Sequence, residues 1–230
     1  MNEKKICFIS SVNDMRRYNE SLGYWKKLSV PEGMYVDFMT ITGASSMVEA
    51  YQAGMEATDA KYKIYIHQDV WIVGKDFLHT VLNCFKSDKS IGLAGVVGSR
   101  YLPRSLAWWE ADDKIGAVCD DHLGSMQAYT YGCGYEKSQA AAAIDGLILI
   151  TQYDIPWRTD IFNNWHFYDT SQCMEFHRMD LQVVVLPVDG ISPPVLHWCG
   201  RKLLTADYHE EQKKFIKEYG EEVIERWLRI

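Results

Sequence analysis

The chain runs to 230 residues, 47% of them apolar, with a formal net charge of −7. That length suits one α/β domain or two small ones, and the apolar share is enough for a substantial core. The acidic balance disfavours general nucleic-acid binding, and no apolar run approaches the roughly 20 residues of a membrane span.

The opening MNEKKICFIS carries an apolar stretch of only four residues, too short for a signal peptide, so a cytoplasmic protein is expected. Six cysteines, at 7, 84, 119, 133, 173 and 199, form no C-x-x-C pair and read as reduced thiols rather than a zinc knuckle.

Residues 5–12 (KICFISSV) are predicted as a buried first strand, and Met15, Tyr18, Leu22, Trp25 and Leu28 as the stripe of a helix over 14–28. After the turn at Pro31-Glu32-Gly33, MYVDFMTIT alternates as a second strand. Ser45 or Ser46 is placed to cap a helix carrying Met47, Ala50, Tyr51, Gly54 and Met55. KYKIYIHQD forms the third strand, 75–87 an amphipathic helix, and IGLAGVVG the fourth strand. The pattern loosens over 100–140, with a hairpin around KIGAVCDD, then returns as the strand AAAIDGLILIT and the helix YDTSQCMEFHRM. LQVVVLP is a last strand and 210–228 a charged helix. Strands alternating with helices imply βαβ crossovers and a mainly parallel sheet in a single domain.

Ligands of open α/β sheets collect beyond the carboxyl ends of the strands. Asp69 lies at such an end, as do Asn13 and Asp14 after the first strand and Gly43-Ala44-Ser45 after the second. Three loops meeting at one crevice favour a ligand-holding Asp69 over a turn residue.

KYKIYIHQDV (61–70) and DGLILITQYDIPWR (145–158) resemble segments of family 2-type glycosyltransferases, nearest a small bacterial subgroup with HQDV and DGL…TQYDIPWR motifs. The likeness runs from the first strand to about Gly200. It implies the GT-A nucleotide-diphospho-sugar transferase fold, with a mainly parallel central sheet and flanking helices. Residues 1–100 would form a nucleotide-binding half, 101–200 an acceptor half, and 201–230 a C-terminal helix. The implied reaction takes a sugar from a nucleotide-sugar donor to a carbohydrate or lipid-linked acceptor, with a divalent metal, Mn²⁺ or Mg²⁺.

Matched to that pattern, Asn13 and Asp14 stand in the base-contacting loop, and Thr42-Gly43-Ala44 replaces the usual base-reading Asp. His67-Gln68-Asp69 replaces the D-x-D motif, with donor contact through all three and metal contact through Asp69; a histidine ligand favours Mn²⁺ over Mg²⁺. Asp145 and Gly146 stand at the entrance to the acceptor floor. Asp169 matches the general base of an inverting transfer, and His197 a third metal ligand, with His166 a supporting residue. Trp108, Trp109, Trp157, Trp165 and Trp198 fall in or beside irregular segments, as aromatics facing sugar rings do; Trp108 and Trp109 are the acceptor-side choice, Trp157 and Trp198 equally core residues. Arg100 and Arg104 flank that pair and suit diphosphate oxygens. Two other readings remain open: a sugar- or nucleotide-binding module without catalysis, and a metal-dependent hydrolase built on His67, Asp69, His166, Asp169 and His197.

Overall fold

The computed structural model describes residues 1–132, 134–188, 193–200 and 205–228, so Cys133 and parts of the C-terminal segment lie outside the described residues. The chain begins with β1 (Asn2–Ser11), α1 (Met15–Trp25), β2 (Tyr35–Ile41), α2 (Met47–Glu56), β3 (Ala60–Ile66) and β4 (Val70–Ile72). Next come α3 (Phe77–Ser87), β5 (Ile91–Gly95), β6 (Val97–Ser99), β7 (Lys114–Asp120), β8 (Gln127–Tyr131) and β9 (Gln139–Ala140). β10 (Ala143–Ile144), β11 (Ile148–Thr151), α4 (Tyr168–Arg178), β12 (Gln182–Val185), β13 (Val195–His197) and α5 (Ala206–Arg226) complete it.

Two sheets form. The larger has the order β2-β1-β3-β11-β5-β12-β9, the smaller β10-β6-β7-β13-β4 with β8 paired to β7. In the larger sheet β1, β2, β3, β5 and β12 point the same way, while β11 and β9 run against them. The mainly parallel expectation therefore holds, with β11 inserted antiparallel between β3 and β5. The βα units explain the parallel part, since a helix carries the chain back between like-directed strands. β11 returns directly from the second sheet and needs no helix.

Two stretches read from sequence as single strands are each two. IGLAGVVG divides at Val96 into β5 and β6, and AAAIDGLILIT divides at 145–147 into β10 and β11. In both cases the chain leaves one sheet for the other, and continuous apolarity cannot reveal such a change because both sheets are buried. Glycines permit the close approach. A Cβ on Gly98 would sit 2.2 Å from the Ala143 carbonyl oxygen, and one on Gly116, at φ +103°, 2.1 Å from that of Val96.

The core runs through the larger sheet: Ile6, Phe8, Ile64, Tyr65, Ile148, Leu149 and Val184 are buried, each contributing about 1.5–3 kcal/mol for a side chain of this size. Lys63 is buried on the same strand, and its Nζ donates to the Ala60 carbonyl at 2.7 Å and to Asp154 at 2.6 Å. A buried ammonium without such partners would be strongly destabilising. Ser46 caps α2 by accepting from the Glu49 amide, as expected of one of the two serines. α5 buries Tyr208, Glu211, Phe215, Tyr219 and Val223 along one stripe. Arg158 and Arg178 clamp it to α4 through Glu175 and Glu218, at 2.9–3.0 Å. Among the described residues no helix is long and apolar enough to cross a membrane.

Gly116→Ala would meet both the left-handed backbone and the Val96 carbonyl, so it should cost about 3 kcal/mol in urea unfolding. Gly23→Ala, in α1 with nothing within 4 Å of the added methyl, should instead stabilise by about 0.5–1 kcal/mol. A silent Gly116→Ala would mean that β7 does not approach the β5–β6 junction this closely.

Candidate functional site

The residues of the site sit where the chain changes sheets. His67-Gln68-Asp69 links β3 to β4, and Asp145-Gly146-Leu147 links β10 to β11. The two turns touch, since the His67 amide donates to the Leu147 carbonyl at 3.0 Å. β13 pairs with β4 so that His197 lies opposite Val70, and the Trp198 amide donates to the Asp69 carbonyl at 2.9 Å. Three distant parts of the sequence thus meet at one point.

At that point His67, Asp69 and His197 offer one ligand atom each, all within 4.8 Å of one another. His197 Nε2 stands 3.5 Å from Asp69 Oδ1 and 3.4 Å from His67 Nδ1. The other nitrogen of His67, Nε2, is 2.5 Å from the Tyr168 hydroxyl. With the His67 proton on Nε2 and donated to Tyr168, Nδ1 carries a lone pair toward His197 and Asp69. Two imidazole nitrogens and a carboxylate oxygen then converge, and an outer hydrogen bond orients the first of them, as in metal–histidine sites. The donor set fits a divalent transition metal.

Tyr168 separates this trio from a second acidic group. Phe167, the residue before α4, takes a left-handed conformation at φ 58°, a strain of about 1–3 kcal/mol for a bulky residue, and it aims Tyr168 and Asp169 at the crossing. Asp169 accepts from the Gly146 amide at 3.1 Å and the Thr170 amide at 2.8 Å. Burial, aided by the Asp145 charge and opposed by those amides, pushes its carboxyl up to about 7. Burial first, then the charge of Asp169, holds the Tyr168 hydroxyl well above the usual phenol range, so it stays a neutral bridge. Gly146 is required here: a Cβ would lie 2.1 Å from the Tyr168 hydroxyl oxygen. Asp145 accepts from the Leu147 amide at 2.7 Å.

Of the residues expected from sequence, His67, Asp69, Asp145, Gly146, Asp169 and His197 are brought together. Asn13, Asp14 and Gln68 are neighbours but bond one another. Gln68 Oε1 accepts from both the Asn13 and Asp14 amides, its Nε2 donates to Asn13 Oδ1, and the Asp14 carboxylate caps α1. Arg100 turns to Gln139 and Arg104 is exposed; among the described residues it is Arg17 whose guanidinium stands 3.5 Å from Asp69. Trp108 is a core residue, whereas Trp109 is exposed and its ring meets Tyr208, itself beside His166 and within the field of Asp169. Trp157 is buried as a core residue should be, but Trp198 is 47% exposed and lines a cleft of about 270 Å³ with Arg16, Arg17, Glu20, Asp69 and Trp71. Arg17 was recognisable only through its helical spacing from Asp14, which turns it toward the same loop.

A family model described as a glycosyltransferase-like family matches residues 7–219. No curated protein matches the sequence. Among solved structures, GalNAc-T7 with UDP, GalNAc and Mn²⁺ superposes with a TM-score of 0.67 at 8% identity, over 97% of this chain and 49% of that one. The mannosyltransferase PcManGT of Pyrobaculum calidifontis, with GDP-Man and Mn²⁺, gives 0.53 at 9% identity, over 97% and 65%. TarS 1-349 of S. aureus with UDP gives 0.57 at 8% identity, over 93% and 65%. The chain spans about half to two-thirds of the lengths of these structures, and identities this low carry the fold alone: the GT-A α/β architecture expected from the sequence.

The raised Asp169 carboxyl has a thermodynamic signature. The folded protein holds this proton more tightly than the unfolded chain does, so stability falls as pH rises from the ordinary carboxylate range through about 7. Asp169→Asn removes that penalty. Its melting temperature should exceed the parent's at about pH 8.5 and converge with it only below about pH 4; a gap that ignores pH would place the carboxyl in an ordinary environment.

Proposed function

The chain belongs to the glycosyltransferase-like family, and from that premise we propose that it moves a sugar from a nucleotide-sugar donor to a carbohydrate or lipid-linked acceptor, in a metal-dependent, inverting reaction. The observation that carries this reading is the pairing of a metal-type trio with a near-neutral carboxyl across one tyrosine. UDP or GDP-Man bound in the three solved structures supports a nucleoside-diphosphate donor, and Mn²⁺ in two of them supports the metal.

His67 Nδ1, Asp69 and His197 Nε2 would hold the ion, with Mn²⁺ favoured over Mg²⁺ by the two imidazoles. Bound there, the cation would offset the charge gathering on the departing diphosphate. Asp169 takes the proton of the acceptor hydroxyl as its oxygen attacks the anomeric carbon. The new C–O bond forms on one face while the bond to the diphosphate breaks on the other, which inverts the centre. A base with proton affinity near neutrality suits this task, since it is ionised at working pH yet still accepts a proton well. Burial and, after it, the charge of Asp145 keep that affinity high, Gly146 makes room for the Tyr168 hydroxyl, and Trp109 borders the acceptor side.

Asp169→Asn should lower kcat by about 10²–10⁴-fold while leaving the dissociation constant of the donor nearly unchanged. The parent's rate should rise with pH through about 7. Asp69→Ala should abolish the Mn²⁺-dependent rise in melting temperature given by one class among UDP-, GDP-, dTDP- and CMP-sugars. A parent that releases no nucleoside diphosphate from any donor would leave a binding module on a transferase fold.

A further inference from the structure

Three large aromatic side chains stand in a row outside the core. Tyr24, on α1, lies 5.2 Å from Trp71 of β4, with ring planes 8° apart, and Trp71 lies 5.9 Å from Trp198, with planes at 38°. Tyr24 is 38% exposed and Trp198 47% exposed. The first pair is stacked and the second tilted, so the row offers ring edges along its length and the outward ring faces at its ends. An apolar row that a fold exposes in this way marks a binding surface. Each ring comes from a different element, so the row is assembled by the tertiary fold.

The polar lining selects the ligand. Where the row enters the cleft beside Asp69, the remaining walls are Arg16, Arg17, Glu20 and Asp69. These charges are mutually paired, Arg16 with Glu20 at 3.6 Å and Arg17 with Asp69 at 3.5 Å. Among the described residues, guanidinium groups stand against carboxylates, Arg17 also reaching Asp14 at 3.6 Å, which makes a lining rich in both donors and acceptors. That suits hydroxyl groups, which both give and accept hydrogen bonds. Three successive rings also exceed what one nucleobase covers. A linear chain of sugars meets both conditions, laying its C–H faces on the rings and its hydroxyls on the paired charges.

We propose that Tyr24, Trp71 and Trp198 form a subsite for a linear oligosaccharide of several units, running along the row toward Asp69. This deepens the transferase reading and rests on it for the sense of the bound chain, an acceptor or product glycan. The grip itself needs neither donor nor metal.

The test uses the whole protein in EDTA without donor. Linear tetrasaccharides of β-glucose, α-glucose, β-N-acetylglucosamine and α-mannose, with the matching monosaccharides, would be titrated by tryptophan fluorescence and calorimetry. At least one tetrasaccharide should bind tenfold or more tightly than its monosaccharide. Tyr24→Ala and Trp198→Ala, each checked by circular dichroism, should weaken it tenfold or more, and Trp198→Phe should restore much of the affinity. The proposal fails if no tetrasaccharide binds, or if binding ignores both alanine variants. It also fails if Trp198→Ala instead abolishes UDP or GDP binding in Mn²⁺, which would make the row a nucleobase platform, or dissolves a dimer seen by sedimentation. Mn²⁺-dependent release of nucleoside diphosphate, measured in parallel, reports on the transferase reading separately, so either can fail while the other stands.

Discussion

The architecture depends on one constraint: three segments pass between the larger sheet and the smaller at nearly the same level. Where β3, β5 and β10 end, the backbone amides lose their ladder partners, and buried amides must be paired. Part of the debt is met by carbonyls across the gap, with Asp145 donating to Val97, Ala117 to Val96 and His67 to Leu147. The rest falls to carboxylates. Asp145 accepts from Leu147, and Asp169 from Gly146. The acids that read as functional therefore also complete the fold at the point where two sheets part.

Electrostatically the site consists of two compartments. On one side, Asp69 is balanced by Arg17 and faced by two imidazoles. On the other, Asp169 lies near Asp145, and burial with like charge raises its hold on a proton. Tyr168 stands between them as a neutral hydrogen-bonding post, bonded to His67 and resting over Gly146. The separation here comes from the helix start at Phe167, whose unusual backbone sets the direction of the two residues that follow.

Much of this was legible in the sequence. The strand and helix periods placed the elements to within a few residues, and Asp69, Asp145, Asp169 and His197 were marked before any contact was known. Contacts between elements were not legible. Arg100 and Arg104 were chosen as sequence neighbours of tryptophans, yet Arg17, four positions past Asn13, approaches Asp69, because α1 folds back beside β4. Trp108 and Trp109 are adjacent in sequence and opposite in environment, since a turn of 3₁₀ helix directs one inward and the other out. Trp198 could be either buried or open until β13 was seen to end beside an edge strand. Gln68, in the middle of a motif, spends its amide on tying two loops together, a role that no periodicity announces.

The position of β11 also bears on how the protein comes into being. It lies between β3 and β5, although it follows both by more than fifty residues of chain. While the first hundred residues emerge, β3 and β5 have no common neighbour, and each presents an open edge. The sheet closes only after residues 148–151 arrive, and the turns carrying Asp69 and Asp145 can be completed only then. Pairings this distant in sequence form slowly, and an unpaired apolar edge invites other chains in the meantime. A fragment ending before β11 would keep most of its helices and lose the middle of its sheet. The strand that joins the two parts is also a condition for the site, which α4 and β13 then complete, so a chain caught half-made has a sticky edge and no assembled site.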